Sequence, residues 1–207
     1  MLIAFAGLPS SGKSSTAKAL ALCLNAPVFV EPEEEKWSNL VHDRETTGKF
    51  TALTWFRSVR IPNLFEANKI RNEGGTAVVD SYYDKIVSLY MRENCFSWLI
   101  PIDDPYFDVA YQMAIADLKN LPNADILIFL KLNRETWLRF MENRGREFDR
   151  SAELKHYFEM QDYMERACKI AADEHGMKLM VIVQIWSSPE ETADLIYKKL
   201  KLPRKIA

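Results

Sequence analysis

The sequence predicts an α/β fold in which helices cover both faces of a five-stranded, mostly parallel sheet. Five short apolar runs have the length and the β-branched or aromatic content of buried strands, and helical stretches separate them. The runs are continuous rather than alternating, which is typical of strands buried on both faces. The chain has 207 residues, so we expect one domain over residues 1–207.

The apolar runs give the predicted strands in chain order. They cover residues 2–6, 27–30, 76–80, 125–132 and 178–185. Gly74-Gly75 marks a turn before the third run. Because strands alternate with helices along the whole chain, we expect crossover connections and parallel pairing.

Helix signals lie between these strands. A helix is predicted over residues 13–24, and apolar residues between 107 and 118 recur on one helical face. Ser151 can cap a long helix that ends before Gly176. Ser188-Pro189-Glu190-Glu191 is a capping box with proline at the first helical position, so it predicts the start of the last helix.

Charge and apolar run lengths exclude several classes of partner. Lys plus Arg is 27 and Asp plus Glu is 29, a formal net charge of -2, so we expect no nucleic acid partner. No apolar run approaches the roughly 18 residues that span a bilayer, so we expect no membrane partner. The three cysteines are widely spaced and form no CxxC pair. This pattern suggests reduced thiols in a cytoplasmic protein.

The strongest functional signal follows the first strand. Gly7-Leu8-Pro9-Ser10-Ser11-Gly12-Lys13-Ser14 fits the phosphate-loop pattern GxxxxGK[ST], between a predicted strand and a predicted helix. Glycines let several backbone N–H groups point at one anion, and the helix N-terminus adds partial positive charge. The alternative is a simple Gly-Ser turn before a helix. The residues expected to bind the nucleotide are Gly7, Leu8, Pro9, Ser10, Ser11, Gly12, Lys13, Ser14 and Ser15.

The loop predicts a ligand rather than a reaction. We expect Lys13 to reach the β- and γ-phosphates of ATP or another nucleoside triphosphate, and the Ser14 hydroxyl to bind Mg²⁺. The chain lacks an NKxD motif of GTPases and is short for a motor or a AAA-type ATPase. These features favour a kinase that acts on a small acceptor.

Two acids follow predicted strands, at the sheet edge where ligands gather in such folds. Glu31 follows the second strand and Asp80 ends the third. One carboxylate can take the proton of an acceptor hydroxyl, and the other can hold Mg²⁺. The alternative is that each is a solvated strand-end acid or a helix cap.

An arginine-rich segment follows the fourth strand and its helix. In Arg144-Gly145-Arg146-Glu147-Phe148-Asp149, two arginines flank a glycine between two helices. Guanidinium groups can pair with phosphate oxygens, and a closing segment excludes water from the donor. We therefore predict a lid at about residues 144–150, with Arg144 and Arg146 as catalytic groups. The alternative is a charged loop that makes surface ion pairs.

These motifs together resemble the deoxynucleoside kinase family. The resemblance rests on the phosphate loop, on Glu31-Pro32-Glu33-Glu34-Glu35-Lys36-Trp37, on Asp80-Ser81 and on the lid segment, and it runs from residue 1 to about 165. It implies a phosphate-loop kinase fold, often dimeric, that transfers the γ-phosphate of a nucleoside triphosphate to a nucleoside 5′-hydroxyl. It further implies that Glu31 is the base, that Trp37 lines the nucleoside pocket and that Asp149 lies near the sugar 3′-hydroxyl.

The sequence departs from the family pattern at three places, and the first two lie in these motifs. The spacing from Glu31 to Trp37 is one residue longer than usual, and the acidic-Arg-Ser motif lacks its arginine, leaving Asp80-Ser81. Lys85, one helical turn further on, is a candidate substitute for that arginine.

A third departure concerns the substrate element. The segment Leu53-Thr54-Trp55-Phe56-Arg57 resembles the family's Phe-Gln element, with Arg57 in place of Gln. Because Arg only donates hydrogen bonds, it suits a guanine edge or an anion. We predict that Phe56 and Arg57 bind substrate; Arg60, three residues on, shares a helical face with Arg57. The alternative is a solvated basic face.

Two other functions remain open from the sequence. The arginines near residue 57 also resemble the thymidylate kinase family, whose acceptor is already phosphorylated, although Glu33-Glu34-Glu35 would repel a monophosphate. The third hypothesis is a regulatory nucleotide-binding module without turnover. The nucleoside or nucleotide acceptor, the donor and the subunit number are not predicted by the sequence, beyond the homodimer that the resemblance implies.

Overall fold

The computed structural model describes residues 1–145, 158–185 and 187–201, and the strands in these ranges form one parallel sheet. The strands are β1 (Leu2–Gly7), β2 (Val28–Phe29), β3 (Ala77–Val79), β4 (Ile126–Leu132) and β5 (Lys178–Gln184). Their order across the sheet is β2-β3-β1-β4-β5. All five predicted strands are confirmed. Since β1 is central, the residues that follow it emerge where the strand order reverses, which is where ligands bind in such sheets.

Nine α-helices lie within the described ranges. They are α1 (Lys13–Leu24), α2 (Asn39–His42), α3 (Arg44–Thr47), α4 (Lys49–Asn72), α5 (Tyr83–Ile86), α6 (Phe107–Asn120), α7 (Arg134–Arg144), α8 (Met160–His175) and α9 (Pro189–Leu200). The predicted capping box at the start of α9 is present, because Ser188 and Glu191 each bond the other's backbone N–H. Helix α8 ends at Gly176, as predicted, but the Ser151 cap lies outside the described residues.

The sheet separates two hydrophobic cores, which gives the three layers that the sequence predicts. Ile3 and Phe5 of β1 pack on one face with α1 and α9, whereas Leu2 and Ala4 pack on the other face with α4, α6 and α8. Because strand side chains alternate, both faces of β1 are fully buried, which explains its unbroken apolar sequence. Each large side chain buried this way contributes roughly 1.5–3 kcal/mol.

Helix α4 is the element that connects the core to the site. It runs for 24 residues from Lys49 to Asn72, and it continues through Pro62. Its second half packs Leu64 and Ala67 into the core beside β3. Its first half carries Phe56, Arg57 and Arg60 past the carboxyl ends of the strands, where the candidate site lies.

Candidate active site

The backbone of the phosphate loop requires its glycines. Gly7 ends β1 with φ +146°, and a Cβ atom there would lie 2.9 Å from the Leu130 carbonyl oxygen of β4. Gly12 has φ +79° directly before α1. Both φ values are in the region that L side chains rarely adopt, so the loop needs glycine at both positions to reach the helix N-terminus.

The loop folds around the Lys13 ammonium group. Lys13 Nζ donates to the carbonyl oxygens of Gly7 at 3.0 Å and Leu8 at 2.7 Å. Residues 10–16 line a cavity of about 350 Å³ together with Phe140, Arg144 and Gln184. This arrangement suits the phosphates of a nucleotide, with one exception among the predicted residues: the Leu8 side chain is buried in the core and offers only its backbone.

The two predicted acids meet at the edge of the loop, as their strand-end positions predict. Ser14 Oγ donates to Asp80 Oδ2 at 2.6 Å. The backbone N–H of Glu31 donates to both oxygens of Asp80 at 3.2 Å. The Glu31 side chain remains 30% exposed, so its carboxylate is accessible from the cavity that it lines.

The electrostatic surroundings of the two acids differ. Burial would raise the pKa of Glu31, but the Arg60 and Lys13 charges outweigh burial and hold the pKa of Glu31 below its usual value. Burial and the nearby Glu31 charge raise the pKa of Asp80 to about 6. Glu31 is therefore ionised near neutral pH, as a proton acceptor must be.

Asp80 and Ser14 fit a Mg²⁺ site of the kind that depends on a nucleotide. Mg²⁺ in such sites takes one or two carboxylates, and phosphates and water fill its other positions. The Ser14 hydroxyl and the Asp80 carboxylate are in contact, and a cation there would offset the burial and the Glu31 repulsion that raise the pKa of Asp80. Within residues 1–145, 158–185 and 187–201 there is no cluster of three or more His, Cys, Asp or Glu that would hold a metal alone.

Arg60 is a site residue that sequence analysis did not assign. Its Nη1 donates to Glu31 Oε1 at 3.1 Å, and its Nε and Nη2 donate to Asp84 at 2.6 and 3.1 Å. The guanidinium also lies over the rings of Phe56, at 5.5 Å, and Tyr83, at 4.5 Å. Its spacing from Arg57 on a common helical face was the available signal.

The substrate-binding role predicted for Arg57 is not supported by its position. Arg57 Nε and Nη2 donate to the two oxygens of Asp117 on α6, at 2.7 and 2.8 Å, and Arg57 does not line the aromatic cavity. Three residues turn a helix by about 300°, so the two side chains project about 60° apart on one face, where Arg60 lines the cavity and Arg57 reaches Asp117 of α6. The bidentate ion pair satisfies the guanidinium inside the protein, and the predicted anionic acceptor is not needed to do so.

Lys85 does not replace the arginine that is missing after Asp80. Its side chain is 1% exposed, and Nζ donates to the Leu121 carbonyl oxygen at 2.7 Å. Burial lowers the pKa of Lys85 to about 8, since attraction to Asp117 compensates only in part. Lys85 therefore points into the core rather than towards Glu31.

An aromatic cavity of about 170 Å³ is lined by Glu31, by Lys13 and Ser14 of the loop, and by a set of aromatic rings. Trp37 and Phe56, both predicted to bind substrate, line it and contact each other edge-on at 5.1 Å. Trp37 is fixed by a hydrogen bond from Nε1 to the Pro32 carbonyl oxygen. Further lining residues come from helices and turns far apart in the chain: Leu53, Tyr83, Ile86, Tyr90, Phe96, Trp98, Leu99 and Met164.

The first arginine of the predicted lid reaches the loop. Arg144, at the end of α7, donates from Nη1 to Ser10 Oγ at 3.4 Å and lines both cavities. Helix α7 is anchored beside it by Trp137, whose Nε1 donates to the Pro9 carbonyl oxygen at 2.7 Å. Arg146 and Asp149 lie outside the described residues, so their predicted roles stay predictions.

Comparison with known structures confirms the predicted fold class. Deoxyadenosine kinase from M. mycoides with bound dATP is similar, with a TM-score of 0.72 and 20% identity over 98% of this chain and 100% of that chain. The same enzyme with the products dCMP and a flexible dCDP gives a TM-score of 0.65 at 19% identity over 97% and 98%.

Thymidylate kinase from Candida albicans is also similar, with a TM-score of 0.60 and 16% identity over 97% of this chain and 90% of that chain. No protein-family profile and no curated protein sequence matches the chain. At these identities the similarity establishes the fold. It agrees with both families that the sequence resembles.

Proposed function

We propose that this protein is a kinase that transfers the γ-phosphate of ATP or another nucleoside triphosphate to the 5′-hydroxyl of a nucleoside. The observation that carries the proposal is the position of Glu31. Its ionised carboxylate stands between the phosphate loop, with Lys13 and Ser14, and a cavity lined by aromatic rings. An acceptor bound in that cavity would present a hydroxyl to a base and to a phosphoryl donor together.

Each charged group then has a distinct task. Glu31 accepts the proton of the 5′-hydroxyl while the hydroxyl oxygen forms a bond to the γ-phosphorus of the donor. The bond between the γ-phosphorus and the bridging oxygen breaks, and that oxygen leaves with the nucleoside diphosphate. Lys13 and Arg144 stabilise the negative charge that spreads over the transferred group. Mg²⁺ held by Ser14 and Asp80 would neutralise the phosphates of the donor. Arg146 is proposed to assist from the lid.

The aromatic cavity supports a nucleoside as the acceptor. Flat bases bind well against aromatic rings, and Trp37 and Phe56 offer such surfaces beside Glu31. The similar M. mycoides enzyme is a deoxyadenosine kinase that holds the product dCMP in one structure. We propose that the sugar lies nearest Glu31, with Asp149 at its 3′-hydroxyl, and that the base lies among the aromatic rings.

The charges favour a neutral hydroxyl over a monophosphate as acceptor. Among the described residues that line the aromatic cavity, the cations are Lys13, Arg60 and Arg144. Lys13 and Arg144 contact the phosphate loop, and Arg60 is shared by Glu31 and Asp84. A monophosphate would enter beside the carboxylates of Glu31 and Asp80. The thymidylate-like alternative therefore has less support.

A steady-state assay with Mg²⁺, ATP and a panel of nucleosides and nucleoside monophosphates tests the proposal. We expect turnover with one or more nucleosides and at least tenfold lower kcat/KM with every monophosphate. Preference for a monophosphate would establish the thymidylate-like alternative. Nucleotide binding without any turnover would establish the regulatory module.

A matched pair of variants tests the role of Glu31 within that assay. Glu31→Gln keeps the shape but cannot take a proton, so kcat should fall by about 10²–10⁴-fold. Glu35→Gln makes the same charge change at an exposed position nearby and should retain wild-type kcat. If Asp80→Asn lowers kcat more than Glu31→Gln at saturating Mg²⁺, the two acids have exchanged roles.

We also propose that the protein is a cytoplasmic homodimer of one-domain subunits. The dimer follows the family resemblance, and Phe65 of α4, which is 49% exposed, is an apolar side chain that a subunit contact would bury. None of the helices in the described ranges is long and apolar enough to cross a membrane. Sedimentation of the wild type and of Phe65→Glu tests the dimer, which the charge should dissociate.

A further inference from the structure

Arg60 holds the candidate base from α4, at a position to which the sequence analysis gave no role in the site. The guanidinium contacts Glu31 through Nη1 and Asp84 through Nε and Nη2. Its side chain is 10% exposed, and so is nearly withdrawn from solvent. The contact fixes one carboxylate oxygen of Glu31 while the carboxylate stays accessible from the cavity.

The position of this guanidinium is itself strongly restrained. Asp84, 9% exposed on α5, takes two of its hydrogen bonds, and the rings of Phe56 and Tyr83 lie against it. A planar group that is held by a bidentate carboxylate and by rings has little freedom to rotate. Arg60 can therefore hold the Glu31 carboxylate in one orientation.

No other described cation makes an ion pair with Glu31. Lys85 bonds the Leu121 carbonyl oxygen, and Arg57 bonds Asp117. Lys13 acts on Glu31 through its charge, and it donates hydrogen bonds to the carbonyl oxygens of Gly7 and Leu8. Within the described residues, the ion pair that orients the Glu31 side chain is made by Arg60.

We infer that Arg60 is the positioning residue for Glu31, and that it supplies from α4 the guanidinium that the sequence after Asp80 lacks. Asp84 anchors this guanidinium from α5. The inference rests on the proposed function, because it concerns the orientation of the proposed base. It predicts that Arg60 contributes to kcat through Glu31 rather than through acceptor binding.

A double-mutant cycle on the full-length protein tests this inference, with kcat and KM measured for the best nucleoside. Arg60→Met should lower kcat by about tenfold to a hundredfold, which is less than the roughly 10²–10⁴-fold that the positioned base itself contributes. In the Glu31→Gln background, the same change should lower kcat less than threefold, because residues that act as a unit are not additive. Arg60→Lys should recover part of the loss.

Two further variants separate positioning from a general effect on folding. Asp84→Asn frees Arg60 without altering it, so it should lower kcat and be non-additive with Glu31→Gln. Arg57→Met removes a guanidinium one turn away on α4 and should leave kcat within about twofold. Thermal unfolding of each variant shows whether the fold is retained.

The possible outcomes distinguish failure of the positioning role from failure of the proposed kinase function. Additive effects of Arg60→Met and Glu31→Gln on log kcat would overturn the positioning role while leaving the kinase intact. A rise in KM with kcat unchanged would also overturn it, since Arg60 would then bind acceptor. A wild-type protein that phosphorylates no nucleoside would overturn the proposed function and this inference together.

Discussion

The two halves of the candidate site are built in different ways. The donor half comes from consecutive residues, because residues 10–16 line its cavity and Lys13 bonds the backbone of its own loop. The acceptor half combines Glu31 after β2, Asp80 after β3 and Arg60 from α4. A local backbone conformation determines the first, whereas packing between distant elements determines the second.

Because of this difference, we expect substitutions in the two halves to affect different properties of the protein: the turnover rate in one and the stability of the fold in the other. Lys13 and Ser14 of the donor half line the cavities and belong to neither hydrophobic core, whereas Leu8 of the same loop is a core residue. The acceptor half rests on a layer of buried ion pairs and polar contacts, in which Arg57, Asp117 and Lys85 contribute to the fold without lining the aromatic cavity. We expect substitutions in the loop to change turnover, and substitutions in the supporting layer to change the free energy of unfolding.

The largest expected effect is that of Lys13→Ala on turnover. Removing one preorganised donor to the charge of the transition state lowers kcat by about 10²–10³-fold. The free energy of unfolding should change little, because Lys13 belongs to neither hydrophobic core and donates to the loop carbonyls of Gly7 and Leu8. Steady-state kinetics and urea unfolding of the same preparation measure both quantities.

Lys18→Ala is the matched control for this variant. Lys18 is also on α1, but its side chain is 51% exposed and its nearest carboxylate is Glu33 at 3.9 Å. It should keep wild-type turnover. Equal losses in the two variants would mean that helix charge in general, and not the loop ammonium, supports catalysis.

The same contrast explains which parts were predictable from sequence. The five strands, the loop and α1 follow from local patterns, and so does the convergence of Glu31 and Asp80 at strand ends. The roles of Arg57 and Arg60 depend on their partners, since Asp117 is 60 residues from Arg57 and Asp84 is 24 residues from Arg60. The local sequence does not distinguish two arginines three residues apart. The packing of α4 determines that Arg57 pairs with α6 and that Arg60 lines the cavity.

The pH dependence of stability tests whether Lys85 belongs to the supporting layer. Its pKa falls from 10.5 to about 8 on folding, so between these pH values the unfolded chain binds more protons and stability rises with pH. Lys85→Met lacks this contribution. The stability of Lys85→Met relative to wild type should therefore decline by about 3 kcal/mol from pH 7.5 to 10.5.

Urea unfolding at several pH values measures this difference. Tyrosines and cysteines titrate in the same range, but they are common to both proteins and cancel in the comparison. Lys169→Met, at an exposed position on α8, is the control for loss of a charge. If the curves of wild type and Lys85→Met stay parallel, Lys85 is not desolvated by folding.

Arg57→Met should lower stability and leave acceptor preference unchanged. The substitution leaves Asp117, 9% exposed, without its bidentate partner, and the exposure of Arg57 at 33% moderates the loss to about 1–3 kcal/mol. Urea unfolding and the nucleoside panel measure the two quantities. A changed order of preference among nucleosides would show that Arg57 contacts the acceptor, as the sequence analysis predicted. Arg57 would then affect substrate choice as well as the stability of the fold.

The smallest expected effect concerns Tyr90 in the wall of the aromatic cavity. Its hydroxyl is buried and has no hydrogen-bond partner among the described residues, whereas the Tyr82 hydroxyl donates to the Pro122 carbonyl oxygen and accepts from the Ala124 N–H. An unpartnered buried hydroxyl costs free energy, so Tyr90→Phe should stabilise the fold by about 1 kcal/mol, while Tyr82→Phe should destabilise it by about 1–2 kcal/mol.

Thermal unfolding of the two variants, with and without nucleoside, completes this test. For a chain of this size, a change of 1 kcal/mol moves Tm by roughly 2–4 °C. We expect Tyr90→Phe to raise Tm in both conditions, because the hydroxyl is buried without a partner and the ring, packed at 4.5 Å from the Phe96 ring, is retained. A gain in Tm that disappears when nucleoside is added would show that the acceptor bonds this hydroxyl. Tyr90 would then both bind the acceptor and affect the stability of the fold, so a single substitution in the acceptor half would change turnover and stability together.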